Sequence, residues 1–386
     1  MATRRIRALV AAGLVDSFGL ALGWTTFNLY AAAHSGLESV GFYGAALLTG
    51  IALSAPMTTA LCRRLTGRQL LRAAAVGEAA ARVASLTLLV LDASPLVVAA
   101  CVAVSGMTAW TGFATMRAEV ATASPGSRAM TRYMGSIAAI EGIGAAVAAL
   151  IPVAAVEGLT GPGLVAVLAV YGLSLAPTFV VARGAQVATA TRSRKERPKL
   201  DLDPLVGGFL VMLFASAPTF LAVALSAELH GRRAVPVAAI AFALGAVVAP
   251  PLATRVERLH VPAAALWPVF GVGMVAGWAA APSVLAGLAL AQFCSGLALS
   301  AFEGTMDARA ARTSGFVDTS GLARTAAARA LGSAAAVASA PTIIAATGLP
   351  LFSLLAGGVL GFAALTAGVR SVFRRTATPA PATQSS

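Results

Sequence analysis

Charge is scarce in this chain, and lysine is scarcer. Charged residues make up 11% of its 386 residues, against roughly a quarter in soluble domains. Lys195 and Lys199 are the only lysines. So little charge cannot solvate a chain of this length, which excludes a soluble enzyme or binding module as its main body. Cysteine is nearly absent. Cys62, Cys101 and Cys294 show neither CxxC nor Cys/His spacing, so no disulfide framework and no zinc site is expected. There is no GxxxxGK[ST] loop to cradle ATP phosphates, and no HExxH or GxSxG motif. Neither ATP-driven pumping nor enzymatic activity is therefore expected, and no cofactor or metal. The net charge of +13 comes without a basic domain, so no nucleic-acid partner is expected either.

What is present is apolar sequence of bilayer-spanning length. Hydrophobic residues reach 58% and the mean hydropathy is +0.83. A helix needs about 20 apolar residues to cross a membrane. Such segments fall at 8–33, 40–61, 70–91, 95–118, 133–156, 161–182, 204–228, 234–254, 262–281, 283–304, 320–346 and 349–369. The fold class expected is all-α and polytopic, with about twelve spans. The N-terminus has the basic flank and apolar run of a signal peptide. The run is too long, contains Asp16 and lacks a small-residue cleavage site, so it reads as a retained first span.

The arginines orient these spans. With the N-terminus cytoplasmic, only Arg232 and Arg233 fall in an outside loop and Arg82 lies within a span. The other basic residues gather on the inner side, as the positive-inside rule requires, with both termini cytoplasmic. Arginine in place of lysine, with abundant Ala, Gly and Val, suggests a GC-rich bacterial genome and hence the inner (plasma) membrane. The longest inner loop divides the spans six and six. The domains expected are an N-terminal bundle (1–182), a basic cytoplasmic linker (183–203), a C-terminal bundle (204–370) and a disordered tail (371–386).

The halves read as repeats. Leu9 to Asp16 aligns with Leu205 to Met212, His34 with His230, and Thr115-Met116-Arg117-Ala118-Glu119 with Thr305-Met306-Asp307-Ala308-Arg309. The same order in both halves supports a duplication into two pseudo-symmetric six-helix bundles.

Three stretches carry a family resemblance. They are LVDSFGLALGWTTFNLY in the first span, the basic loop Ala60 to Arg68, and MRAEVATASPGSR after the fourth span with its pseudo-repeat near Thr305 to Arg324. Together they resemble the major facilitator superfamily over nearly the whole chain. The loop keeps Gly67 and Arg68 of the family pattern but has Ala60 for the first glycine and Arg64-Leu65 for Asp-Arg. That removes the acid of the usual charge relay. The fourth-span arginine motif and the fifth-span Gly-Pro pair of exporters are also missing. The resemblance implies alternating access of two halves, with a cargo site near the midplane. Arg64, Gly67, Arg68, Glu303 and Asp307 become candidates for gating at the inner face, with a solvated loop the alternative for the last two.

Intramembrane polar residues supply the remaining candidates. Asp16 shares a helical face with Gly19, Leu20, Gly23, Phe27 and Tyr30. A lone carboxylate at depth reads as a proton-coupling group or a structural acid. The resemblance implies that the first and fifth helices are neighbours, so Glu141 in the fifth span would be its partner, two close acids sharing a proton; pairing with a basic residue is the alternative. Glu78 and Arg82, four apart, read as a structural ion pair. Trp24, Asn28, Trp110, Thr111 and Gln292 are cargo candidates, the spans that carry them lining the cavity in the family, with packing the alternative. Arg329 either binds cargo or snorkels to the surface. The function expected is a monomeric, proton-coupled exporter of a small amphipathic molecule. An importer or facilitator, or a transport-inactive scaffold or sensor, are the alternatives.

Overall fold

The computed structural model describes residues 2–61, 64–123, 127–151, 162–185, 202–258, 261–313 and 319–376. Most of the expected linker (186–201) and of the tail (377–386) lie outside the described residues, as do the side chains of Arg117, Glu119 and Arg309 in the repeat.

The first two spans form one element, α1 (Ala2–Leu61), bent at Gly36 (φ 74°, ψ −176°). Sequence reading separates them at 33 and 40; the structure turns the chain within a single residue. Only glycine takes that backbone conformation freely. The Ser39 hydroxyl stands within hydrogen-bond distance of the carbonyls of Gly36 (2.8 Å) and Ala31 (3.1 Å) and can donate its one proton to either across the bend. Next, α2 (Gly67–Val90) begins at a capping box, with Thr66 and Gln69 exchanging hydrogen bonds. The sequence motif around Gly67 and Arg68 is thus also a helix start. There follow α3 (Pro95–Ala123) and α4 (Ser127–Leu150).

The sixth span, expected to be continuous, is two helices, α5 (Pro162–Leu173) and α6 (Ala176–Val181). Pro177 explains the break, since it has no N–H to give Leu173 and its ring opposes that carbonyl. The seventh span is likewise split into α7 (Leu202–Ala215), α8 (Ala217–Phe220) and α9 (Ala222–His230), with Pro218 at the start of α8. The chain continues through α10 (Ala234–Arg258), α11 (Ala263–Val275), α12 (Leu285–Thr313), α13 (Thr319–Thr347) and α14 (Leu349–Thr376).

Among the described residues, eight helices are long and apolar enough to cross a membrane. One of them, the 58-residue stretch Arg4–Leu61, has length for two crossings. Shorter apolar helices at Gly135–Leu150, Leu202–Ala215 and Ala264–Ala279 fall at the fifth, seventh and ninth expected spans. Large apolar side chains such as Leu96, Leu150, Phe362 and Leu365 face outward, as lipid-facing helices require. The chain is an all-α, polytopic membrane protein.

Packing joins distant helices. Within the first six spans α1 packs on α3 and α4, and α2 on α3; within the last six α10 packs on α12, α7 on α13 and α11 on α14. Small residues bring these helices close. A side chain at Gly50 would run into the Ala103 carbonyl of α3, and one at Gly106 into the Leu47 carbonyl of α1.

The main seams between the sets of six are α1 with α13 and α4 with α10, and α1 also touches α9. At the first, a Cβ on Gly41 would sit 2.8 Å from the Val337 carbonyl; at the second, one on Gly142 would sit 2.6 Å from the Ala243 Cβ. Arg232, before α10, donates to the carbonyls of Ala149 (3.1 Å) and Ala148 (3.4 Å) in the last turn of α4. Gly41 and Arg232 both stand at the end of the bundle remote from the chain termini, so the sets are fastened together there.

Candidate functional site

The broken sixth span prepares a seat for a charge. Where α5 gives way to α6, the Leu175 N–H bonds the Gly172 carbonyl (3.4 Å), and the Tyr171 carbonyl accepts from the Ser174 hydroxyl (3.2 Å) instead. Arg82 of α2 joins it there: Nη1 donates to the Tyr171 carbonyl and to Ser174 Oγ, each at 3.3 Å. Its guanidinium also lies 5.4 Å from the Tyr171 ring centre. Gly19 and Gly23 of α1 lie against Ser174 and the Tyr171 ring. The small-residue face that carries Asp16 is therefore filled by the broken span.

Asp16 is not the isolated acid that its own span suggests. Arg82 Nη2 donates to Asp16 Oδ1 at 2.8 Å and also pairs with Glu78. The expected Glu78–Arg82 pair is present, but it is part of a trio. Arg82 is fully buried, the Glu78 side chain is 3% exposed and that of Asp16 is 26% exposed. Two carboxylates share one permanent cation, so the trio carries a net negative charge unless one proton is taken up.

Glu141 of α4 is half-buried. It lies close to Ser17, next to Asp16, and within electrostatic reach of both Asp16 and Glu303. The structure thus brings Glu141 close to the Asp16 trio and towards an acid of the last six spans.

A second arginine-centred cluster stands in those spans. Arg329 of α13 is 5% exposed, so it does not snorkel to the surface. Its Nη1 donates to Asp307 Oδ1 at 3.0 Å and its Nε stands 3.8 Å from Glu303 Oε1, both on α12. The two gate candidates and the cargo-binding candidate thus form one network, whereas Arg64 and Arg68 stand exposed at the start of α2.

The uncharged candidates divide. Trp24 stacks on Phe27 (5.1 Å between centroids, 13°), and Trp110 meets Phe113 at 5.1 Å. Thr111 is buried, donating to the Met107 carbonyl and accepting from Thr58. Asn28 and Gln292 are 2% and 1% exposed. Asn28 Oδ1 and Gln292 Nε2 have no hydrogen-bond partner among the described residues. Buried amides in that state are open to a ligand's polar group.

Sequence reading missed Tyr171, Ser174 and Thr178. Spaced i, i+3 and i+7, they form a polar stripe on one side of an apolar span, and that stripe was the available signal.

Comparison with known proteins places this arrangement. No protein-family model matches the chain, and no curated protein matches it in sequence. Among solved structures it is similar to the crystal structure of the human organic anion transporter MFSD10 (TETRAN). The TM-score is 0.62 at 15% identity, over 95% of this chain and 99% of that one. It is similar to the nucleoside transporter NupG with a TM-score of 0.67 at 12% identity, over 96% and 99% of the chains. An auto-inhibited peptide transporter of the POT family gives 0.66 at 12% identity, over 99% of both. The fold is that of the major facilitator transporters.

Proposed function

We propose that the chain is a proton-coupled secondary transporter that exports a small amphipathic compound by alternating access of two six-helix bundles, 1–182 and 204–370. The sharing of Arg82 by Asp16 and Glu78 carries this reading. A proton on either acid neutralises the trio, and its loss restores the charge, so the cluster has two charge states that differ by one proton. Asp16, the more exposed acid, exchanges the proton, and Glu141 stands by as partner. The arginine distribution supports cytoplasmic termini in a bacterial inner membrane. With that orientation the fastened end is the outer one, as in an inward-facing state. Asn28 and Gln292 supply polar contacts to the cargo beside Trp24 and Trp110.

A second reading is an importer or facilitator in which the acids are structural. The bonds from Arg82 to Tyr171 and Ser174 favour it, because they make the trio a staple between spans. Proteoliposomes separate the two. Under an imposed pH gradient, wild-type protein should accumulate a transported test cation or dye against its gradient, and Asp16→Asn should only equilibrate it. Undiminished accumulation by Asp16→Asn would remove Asp16 from the mechanism.

A further inference from the structure

A small cavity lies against Asp16, and its position says more about that acid than the ion pair does. Asp16, Ser17, Glu78, Phe113, Met116 and Thr178 are among its walls, all from the first six spans. No cargo candidate lines it. It offers ≈ 20 Å³ to the centre of a water molecule, above the ~10–15 Å³ that one water needs. Thr178 provides an independent sign. It is 4% exposed, it borders the cavity, and its Oγ1 has no hydrogen-bond partner among the described residues. A buried hydroxyl beside two carboxylates and a water-sized void gives the three partners a buried water takes.

The cavity is closed on one side. Leu9, Ala12, Met116, Tyr133 and Ile137 form an apolar cluster between it and the end of the bundle that bears the termini. The two acids are unequally exposed, 26% for the Asp16 side chain against 3% for Glu78.

We propose that this cavity holds an ordered water that passes a proton between Asp16 and Glu78, so that Asp16 exchanges protons with the surroundings and Glu78 stores them. The proposal rests on the proton-coupled reading. In the transfer, the water accepts the proton from an Asp16 carboxyl oxygen while giving one of its own to a Glu78 oxygen. The water is regenerated, and the total charge of the trio is unchanged. Thr178 is a positioning residue that holds the water by its hydroxyl. The titratable and charged groups facing the pair are Arg82 on α2, Glu141 and Tyr133 on α4 and Tyr171 on α5. Among the described residues the α3 wall contributes Gly112, Phe113 and Met116.

Infrared spectroscopy of the full-length chain in lipid nanodiscs tests this without any cargo. A carboxylic-acid C=O band should titrate in the wild type and vanish in Glu78→Gln. Thr178→Val, nearly isosteric, should shift that band and slow its hydrogen–deuterium exchange at least tenfold, with Thr178→Ser restoring both. Met116→Ser should open the apolar side and speed the exchange. An unshifted band with unchanged exchange in Thr178→Val overturns the proposal, as does the lack of any Glu78 band over the pH range in which the protein stays folded. Failure of the transport reading would show separately, as pH-driven accumulation that survives Asp16→Asn.

Discussion

Arg232 offers a quantitative test of how the two sets of spans are held together. Its Nε donates to the Ala149 carbonyl at 3.1 Å and its Nη2 to Ala148 at 3.4 Å. These oxygens belong to the last turn of α4, where the helix dipole is negative, and the Ala148 carbonyl also accepts from the Ile151 N–H at 3.2 Å. A hydrogen bond from a charged group contributes about 1.5–3 kcal/mol, and the longer contact adds little. A cation at a helix C-terminus adds about 0.3–1 kcal/mol. Arg232→Gln should therefore cost the fastened state about 2 kcal/mol, and at 1.4 kcal/mol per factor of ten the closed-to-open ratio falls roughly 30-fold. Spin labels at Leu91 and Val284 can read it, since both positions are exposed at the remote end, one in each set of six. Cys62, Cys101 and Cys294 would first be replaced. Pulsed dipolar spectroscopy should find a longer-distance population in Arg232→Gln and less of it in Arg232→Lys. An unchanged distance distribution in Arg232→Gln would refute the latch.

The ion trio and the helix seams make further predictions. Arg82→Gln leaves the buried Glu78 and the half-buried Asp16 without their cation and should lower unfolding stability by about 3–5 kcal/mol; a melting temperature in detergent equal to the wild type's would contradict the assigned contacts. Gly50→Val drives a side chain into the Ala103 carbonyl and should abolish the monodisperse peak on fluorescence-detected chromatography, whereas Gly361→Val, with open space around it, should leave it intact. Glu303→Gln leaves Arg329 with Asp307 as its near partner and should cost less stability than Asp307→Asn, as paired melting curves would show.

The spans were readable because length and apolarity alone decide whether a helix can cross a bilayer. Helix breaks were less so. Gly36 turns the chain without a loop, and Pro177 and Pro218 split spans that composition presents as continuous. Prolines inside α1, α10 and α13 leave those helices unbroken, so residue type does not decide the outcome. Asp16 stood out as an acid in an apolar helix, and Glu78 with Arg82 as an i, i+4 pair. Their union did not, since Asp16 and Arg82 are 66 residues apart and helical periodicity says nothing about which spans touch. Arg329 illustrates the same limit: its own span permits either snorkelling or burial, and the acids on α12 decide between them.

The trio also bears on how the chain enters the membrane. α2 carries Glu78 and Arg82 together, and the acids that meet Arg329 precede it on α12, so each of these arginines can arrive with a counter-ion. Asp16 arrives alone. An aspartate at the centre of an inserting helix costs about 2.5–3.5 kcal/mol. Arg82 follows 66 residues later, roughly 3–13 s at synthesis rates of ~5–20 residues per second. During that interval the first span is the least settled part of the growing chain, and the arrival of α2 fixes it in the bilayer.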